Sequence, residues 1–319
     1  MLYKLFKIPA AIAFYFYCRY LHINNKDFLK IEGPLLIAAN HPNSFLDAIV
    51  LATIFKKPIW SLARGDAFVN PFIKKILTSF NMLPVYRVSE GAGNLQHNYS
   101  TFSACNDIFK KNGIVLIFTE GRCVNEWHLR PLKKGTARLA LEAWKQDIPL
   151  RILPLGINYS NFRRFGKNIF INFGDIISAK DIPTDVAHGN AISNFNSLLN
   201  LQLKRLVYEC DSHDEKKLNK LFNVPQSTAK RVLLYIPAVL GWLLHLPLYV
   251  PVILSIKNKA NDHYDSVLVG LLFFLYPVYL IIITIFLHHL FGIIIAALSF
   301  LLLPFCARSL LQLKRQIYT

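Results

Sequence analysis

The sequence predicts an α/β fold, a mainly parallel central sheet flanked by helices, with membrane-directed segments at both ends. Three observations carry this. From Pro34 onward, short apolar runs alternate with longer helical patterns, the signature of parallel strands joined by crossover helices. Val267–Leu287 holds no charged side chain, and after His288-His289 a second apolar run, Leu290–Cys306, follows. About 20 apolar residues cross a hydrocarbon core, so the two runs read as a transmembrane hairpin. Lys plus Arg number 36 against 19 Asp plus Glu, a formal charge of +17, so the chain's partner is anionic.

Residues 1–24 are assigned to an N-terminal membrane-interface helix. Ile8–Tyr17 is apolar and aromatic, stands between Lys4, Lys7 and Arg19, is too short to span, and is followed by no small-residue cleavage site. An amphipathic helix covering the core is the competing reading. Strands are expected at Leu35–Ala39, Ile59–Ala63, Leu83–Tyr86, Ile114–Phe118 and Ile152–Tyr159, and helices at Ser44–Phe55, Asn70–Phe80, Leu95–Lys111 and Gly135–Gln146. Ile169–Phe173 adds a strand and Asn190–Cys210 a closing helix, giving a domain over residues 25–228 whose boundary falls in Asp211–Lys220 or just before Val232.

Residues 229–319 form the C-terminal membrane region. Val232–Ile256 is interrupted by Pro237, Gly241, Pro247 and Pro251, each of which weakens a straight helix. It therefore reads as a re-entrant or kinked segment at 232–256, ahead of the hairpin at 267–306. Arg308, Lys314 and Arg315 follow the hairpin and place the C-terminus in the cytoplasm. With 232–256 not crossing, the main domain then lies on the cytoplasmic face of the inner membrane.

Charge and residue spacing exclude several classes. No zinc-finger spacing, RNP signature or basic helix supports nucleic acid as the anion. Anionic headgroups beside a membrane-anchored domain, by contrast, are worth roughly 1 kcal/mol per nearby Lys or Arg. The five cysteines, Cys18, Cys105, Cys123, Cys210 and Cys306, include no Cys-x-x-Cys pair. Neither a disulfide framework nor a metal site is expected.

The candidate site starts from Asn40-His41-Pro42-Asn43-Ser44-Phe45-Leu46-Asp47, directly after the apolar run Leu35–Ala39. A histidine at the carboxyl end of a buried strand stands where open α/β sheets place their ligands. His41 is the candidate general base, and Asp47 the carboxylate that would fix its tautomer and steady its imidazolium. The same residues fit a Ser-x-x-Asp capping box, in which Asp47 serves only backbone amides. Further strand ends carry Arg87, Glu120-Gly121-Arg122 and the strand proline Pro154. Arginine's planar fork suits phosphate, and glycine lets backbone amides approach an anion. Leu132–Arg138 opens a helix, where Lys134, Gly135 and the helix amides can meet phosphate or face a headgroup surface.

In order and spacing across Pro34–Tyr159, these residues resemble the phospholipid/glycerol acyltransferase family, in particular its lysophosphatidate-acylating, 1-acylglycerol-3-phosphate type. Asn40-His41…Asp47 is similar to the family's first motif, Pro84–Arg87 to its second, Phe118–Cys123 to Phe-Pro-Glu-Gly-Thr-Arg-Ser, and Ile152–Pro154 to its fourth. Three departures stand out. Five residues rather than four separate His41 from Asp47, so a one-residue bulge is needed. Thr119 replaces a proline, and the threonine between Gly121 and Arg122 is missing. Asn81-Met82 stands where a glycine precedes the second motif.

The resemblance implies direct attack of an acceptor hydroxyl on an acyl thioester, carried by coenzyme A or acyl carrier protein as co-substrate, with no cofactor. His41 and Asp47 would be catalytic. The resemblance assigns Arg87, Glu120, Gly121 and Arg122 to binding the acceptor, with Pro154 shaping the acyl or donor pocket; Asn40 and Lys134 are further substrate-binding candidates. Glycerol 3-phosphate and lyso-aminolipids are the alternative acceptors to a lysophospholipid, and an inactive lipid-binding membrane protein is the alternative of another class. Ser44 and Cys123 lie in no Gly-x-Ser-x-Gly elbow and are poor nucleophile candidates.

Overall fold

The computed structural model describes residues 2–86, 97–183, 187–257 and 261–314. Helix α1 (Leu2–Tyr17) leads into β1 (Cys18–Ile23), followed by β2 (Leu35–Ala39), α2 (Phe45–Ile54), β3 (Ile59–Arg64), α3 (Pro71–Ser79) and β4 (Met82–Val85). Next come α4 (His97–Lys110), β5 (Ile114–Phe118), α5 (Gly135–Lys145), β6 (Arg151–Tyr159), β7 (Lys167–Phe173), α6 (His188–Leu206) and α7 (Glu215–Phe222). The chain continues through α8 (Thr228–Ile256), α9 (Tyr264–Phe291) and α10 (Ile293–Leu313).

The strands form one seven-stranded sheet in the order β1-β7-β6-β2-β5-β3-β4. Every neighbouring pair is parallel except β6 and β7. Strand β2 occupies the middle, and its Leu-Leu-Ile-Ala-Ala is buried throughout, as a parallel strand covered on both faces requires. Its side chains alternate between two cores. Leu36 and Ala38 join the layer of α4, α5 and α6, while Leu35, Ile37 and Ala39 join Tyr17 of α1 and Leu46, Val50 and Leu51 of α2.

One assignment differs from the sequence reading. Residues 18–23, expected in the tail of the N-terminal helix, form edge strand β1, parallel to β7. A half-buried edge strand shows only a weak alternation, here Cys18, Tyr20 and His22 against Arg19, Leu21 and Ile23, and its partner lies far along the chain. Residues 232–256 belong to one continuous helix, α8, which keeps Pro237, Pro247 and Pro251 inside it.

Helices α8, α9 and α10 are each long and apolar enough to cross a membrane. Both ends of α8 return to the domain. Near its start, Lys230 Nζ donates to Gln312 Oε1 at 2.7 Å, and Arg19 holds Gln312 O and Val224 O at 2.9 and 3.1 Å. At its finish, Val252 and Ile256 pack with Tyr264, Leu268 and Phe165. The α9–α10 hairpin instead exposes Leu290, Phe291, Ile293 and Ile294 at its far tip. The carboxyl end of α10 comes back to the domain, where Arg308 donates to Cys18 O at 2.6 Å and Lys314 to Phe165 O at 3.0 Å.

Candidate active site

The sheet delivers His41 and Asp47 from either side of one turn. His41 follows β2 directly, and Asp47 lies in the first turn of α2, fully buried. His41 Nδ1 and Asp47 Oδ2 are 2.9 Å apart despite the extra residue between them. The turn absorbs that residue at Ser44, whose φ of 55° and ψ of −144° suit glycine better than serine. Such a backbone costs on the order of 1–3 kcal/mol and persists only where its surroundings over-determine it.

Asp47 does not complete a capping box. Ser44 makes no side-chain cap bond. Asp47 Oδ2 accepts the Asn43 N–H at 2.9 Å as well as facing His41, and Oδ1 accepts the Tyr159 hydroxyl at 2.8 Å. Burial, and then the charge of Asp47, push the Tyr159 phenol well above its usual range. It therefore remains a neutral donor to the carboxylate. The His41 ring lies flat on Phe118, centroids 3.8 Å apart at 9°. His41 Nε2 has no protein partner among the described residues, and the side chain keeps 14% of its exposure. One nitrogen is fixed and the other faces out, which is the arrangement of a general base.

Glu120 organises the turn from behind. Its Oε2 accepts the His41 N–H at 2.7 Å and its Oε1 the Arg130 N–H at 2.8 Å. Burial raises its pKa, and these two amide bonds oppose the rise. Gly121, at φ 72°, turns the chain away, with Lys133 Cγ only 3.0 Å from where a Cβ would stand. Thr119, in the place of the family's proline, donates its N–H and its hydroxyl to Ala39 O at 2.9 and 3.1 Å, closing β5 onto β2.

The remaining expected residues divide. Arg122 and Lys134 are exposed, Lys134 at the N-cap of α5. Pro154 is buried in β6 opposite Ala38 of β2. Arg87 lies outside the described residues. Asn40 is corrected: instead of facing a ligand, its buried amide accepts from Ile157 N at 2.7 Å and donates to Ile157 O at 3.0 Å, pinning β2 to β6. Both ends of that amide are spent on backbone. Cys123 accepts the Ser44 N–H at 2.9 Å. Burial and the Asp47 charge push its thiol up, away from the thiolate a nucleophile needs.

Behind the dyad lies a cluster that the sequence reading did not anticipate. Lys167 Nζ, fully buried, pairs with Asp265 Oδ2 at the start of α9 and donates to Asn161 O at 2.8 Å. Burial lowers the Lys167 pKa, and the Asp265 charge opposes that. Asn43 Nδ2 reaches Asp265 Oδ2 at 3.0 Å and the Tyr17 hydroxyl at 3.1 Å. The available signal was a lone lysine opening an apolar strand and a lone aspartate opening an apolar helix, which nothing local in the sequence pairs.

Comparison with known proteins fits this geometry. Residues 21–158 match the family model described as Acyltransferase, a span that contains His41, Asp47 and Glu120 and stops one residue short of Tyr159. Residues 21–158 form an acyltransferase-family domain. The chain is 36% identical over 77 residues to an uncharacterised acyltransferase of Schizosaccharomyces pombe, covering 24% of this chain and 11% of that one. It is 23% identical over 145 residues to a chloroplastic 1-acyl-sn-glycerol-3-phosphate acyltransferase of Brassica napus, covering 46% and 39%. The chain thus spans well under half the length of either relative. Among solved structures, the 1-acyl-sn-glycerophosphate acyltransferase PlsC of Thermotoga maritima aligns with a TM-score of 0.40 at 11% identity, over 59% of this chain and 71% of that one. The acyltransferase domain carries the whole His41–Asp47 turn, whereas Lys167 and Asp265 lie beyond the matched residues.

Proposed function

We propose that the chain moves a fatty acyl group from a thioester, on coenzyme A or acyl carrier protein, to the free hydroxyl of lysophosphatidate at a membrane surface. The observation that carries this reading is His41 Nδ1 held 2.9 Å from a fully buried Asp47 while Nε2 stays open, inside an acyltransferase-family domain.

In this reading the acceptor hydroxyl attacks the thioester carbonyl carbon as His41 Nε2 takes its proton. The tetrahedral adduct collapses by breaking the carbon–sulfur bond, and the imidazolium returns the proton to the departing thiolate. An ester and a free thiol result, and the enzyme forms no covalent intermediate. Asp47 balances the transient charge on His41, and base catalysis of this kind supplies about 10²–10⁴-fold.

Exposed Arg122 and Lys134, together with Arg87, receive the acceptor's phosphate, supported by the chain's net +17. Gly121 lets the backbone approach it, and Pro154 borders the acyl donor. Glu120 serves this site as a positioning residue, since its two oxygens hold the amides of His41 and Arg130. Helices α9 and α10 dip into the inner membrane, and α8 keeps both ends on the domain while its middle dips with them, His245 Nε2 lying 3.3 Å from the Tyr276 hydroxyl. The domain and the basic C-terminal end then share the cytoplasmic side.

The test is transfer of labelled palmitate from its coenzyme A and carrier-protein thioesters to lysophosphatidate, in membranes holding wild type or His41→Ala. Transfer that disappears with His41 supports the reading. Wild type that acylates no lysophosphatidate with either donor would sink it.

A further inference from the structure

We infer that the segment Asp262–Ser266, which opens α9, is a positioning element of the catalytic turn, so that docking of the apolar helices sets the geometry of the His41–Asp47 dyad. The inference rests on the acyl-transfer reading of that dyad and extends it to residues outside the matched domain.

Asn43 and Ser44 touch this segment directly, and Pro42 is tied to it through Asn125. Asn125 Nδ2 bridges Pro42 O at 2.7 Å and Asp262 O at 3.2 Å, and its backbone N–H reaches Asp262 Oδ1 at 3.3 Å. Asn43 donates from Nδ2 to Asp265 at 3.0 Å, and its carbonyl accepts the Ser266 hydroxyl at 3.4 Å. Ser44 Oγ lies 2.6 Å from His263 Nδ1, while its N–H goes to Cys123 Sγ. Asp265 is in turn fixed by buried Lys167, whose ammonium lies 5.4 and 5.8 Å from the ring centroids of Tyr17 and Tyr159.

These contacts converge where the sequence departs from its family. The extra residue between His41 and Asp47 forces Ser44 to positive φ. Cys123, at the last position of the third motif, and His263, from beyond the domain, hold the residue that is strained. Asn43 then hands the constraint on, because its own N–H is bonded to Asp47 Oδ2. The charged groups facing His41 are Asp47 from α2 and Glu120 from the end of β5. Among the described residues neither makes a hydrogen bond or ion pair to α9, so the polar route from α9 to His41 runs through the turn, while Val269 of α9 packs on the layer that holds Leu46 and Val50 of α2.

The test uses the full chain in lipid nanodiscs. Steady-state kinetics over a pH series would be measured for wild type, His263→Ala, His263→Asn, Ser44→Ala and the Ser44→Ala/His263→Ala pair, and His41 would be titrated by NMR on histidine-labelled protein. His263→Ala should lower kcat about 10-fold with KM within about 2-fold, as expected of misplacing rather than removing a base. The acidic limb of the pH profile and the NMR titration of His41 should both differ from wild type, because a loosened Asp47 no longer holds Nδ1 in place. Asn, whose amide can stand where Nδ1 stood, should restore kcat to within about 3-fold, and the double variant should lose no more than the worse single one. An unchanged kcat and unchanged His41 pKa in His263→Ala, with only the melting temperature lowered, would reduce the segment to a tether and overturn the inference. If wild type transfers no acyl group, the functional reading fails, and the His41 titration still decides whether Asp262–Ser266 governs the imidazole.

Discussion

His41 and His128 each face a carboxylate from Nδ1, at 2.9 Å to Asp47 and 2.8 Å to Glu209. The distances agree to 0.1 Å, and the surroundings differ. The Asp47 side chain is fully buried, whereas Glu209 keeps 41% of its exposure. His41 leaves Nε2 open, whereas His128 spends Nε2 on Asp211 at 3.2 Å. Asp47 is itself held by Tyr159 and by the Asn43 amide. Among the described residues, Glu209 receives only the Leu129 N–H besides His128. A histidine–carboxylate distance therefore does not identify a base; a fixed carboxylate and a vacant second nitrogen do.

The largest expected effect separates the two pairs outright. His41→Ala should reduce kcat by about 10²–10⁴-fold, what general-base catalysis supplies, while His128→Ala leaves it within about 2-fold. Labelled acyl transfer in the same membranes reads both, and similar losses would break the comparison. Asp47→Asn comes next, at about 10²–10³-fold in kcat with little change in KM, because the amide keeps the shape but neither fixes the tautomer nor balances the imidazolium.

Tyr159→Phe sharpens the comparison from the second layer. It removes one hydrogen bond to a buried carboxylate, worth about 1.5–3 kcal/mol, and should cost roughly 10-fold in kcat. Full activity in this variant would show that Asp47 needs no support. The smallest effect is on stability and belongs to the exposed pair. Glu209 foremost, then Asp211, raise the His128 pKa above its usual 6.5. Its contribution is therefore complete below about pH 6.5 and is lost as pH rises through the raised value. Melting temperatures from pH 5.5 to 8 should decline less steeply in His128→Asn than in wild type.

Much of the dyad side of this comparison is legible in the chain. Leu35–Ala39 and Ile114–Phe118 are unbroken apolar runs with polar stops, and strands β2 and β5 have those limits. The histidine and aspartate follow at once. What the chain hides is pairing over distance. Lys167-Asn168 reads as polar loop before Ile169, yet both are buried, the lysine by Asp265 and the asparagine by Phe222 O. Arg19 looks like a membrane-facing flank of an apolar helix, but its guanidinium ties Asn168, Val224 and Gln312 together. Asn40 reads as part of a ligand motif because its side chain is polar at a strand end, and only the register of β6 beside it reveals that Ile157 uses it fully.

The contact between Ser44 and His263 joins residues 219 positions apart, and this has a consequence for the life of the chain. A ribosome finishes the sheet-forming residues well before it makes Asp262, and the turn at Ser44 lacks its far-side supports until then. On this account the protein matures late: a nascent or truncated chain carries His41 and Asp47 but not their final alignment. The turn that holds His41 and Asp47 gains its last supports only once the final helices have been synthesised and seated.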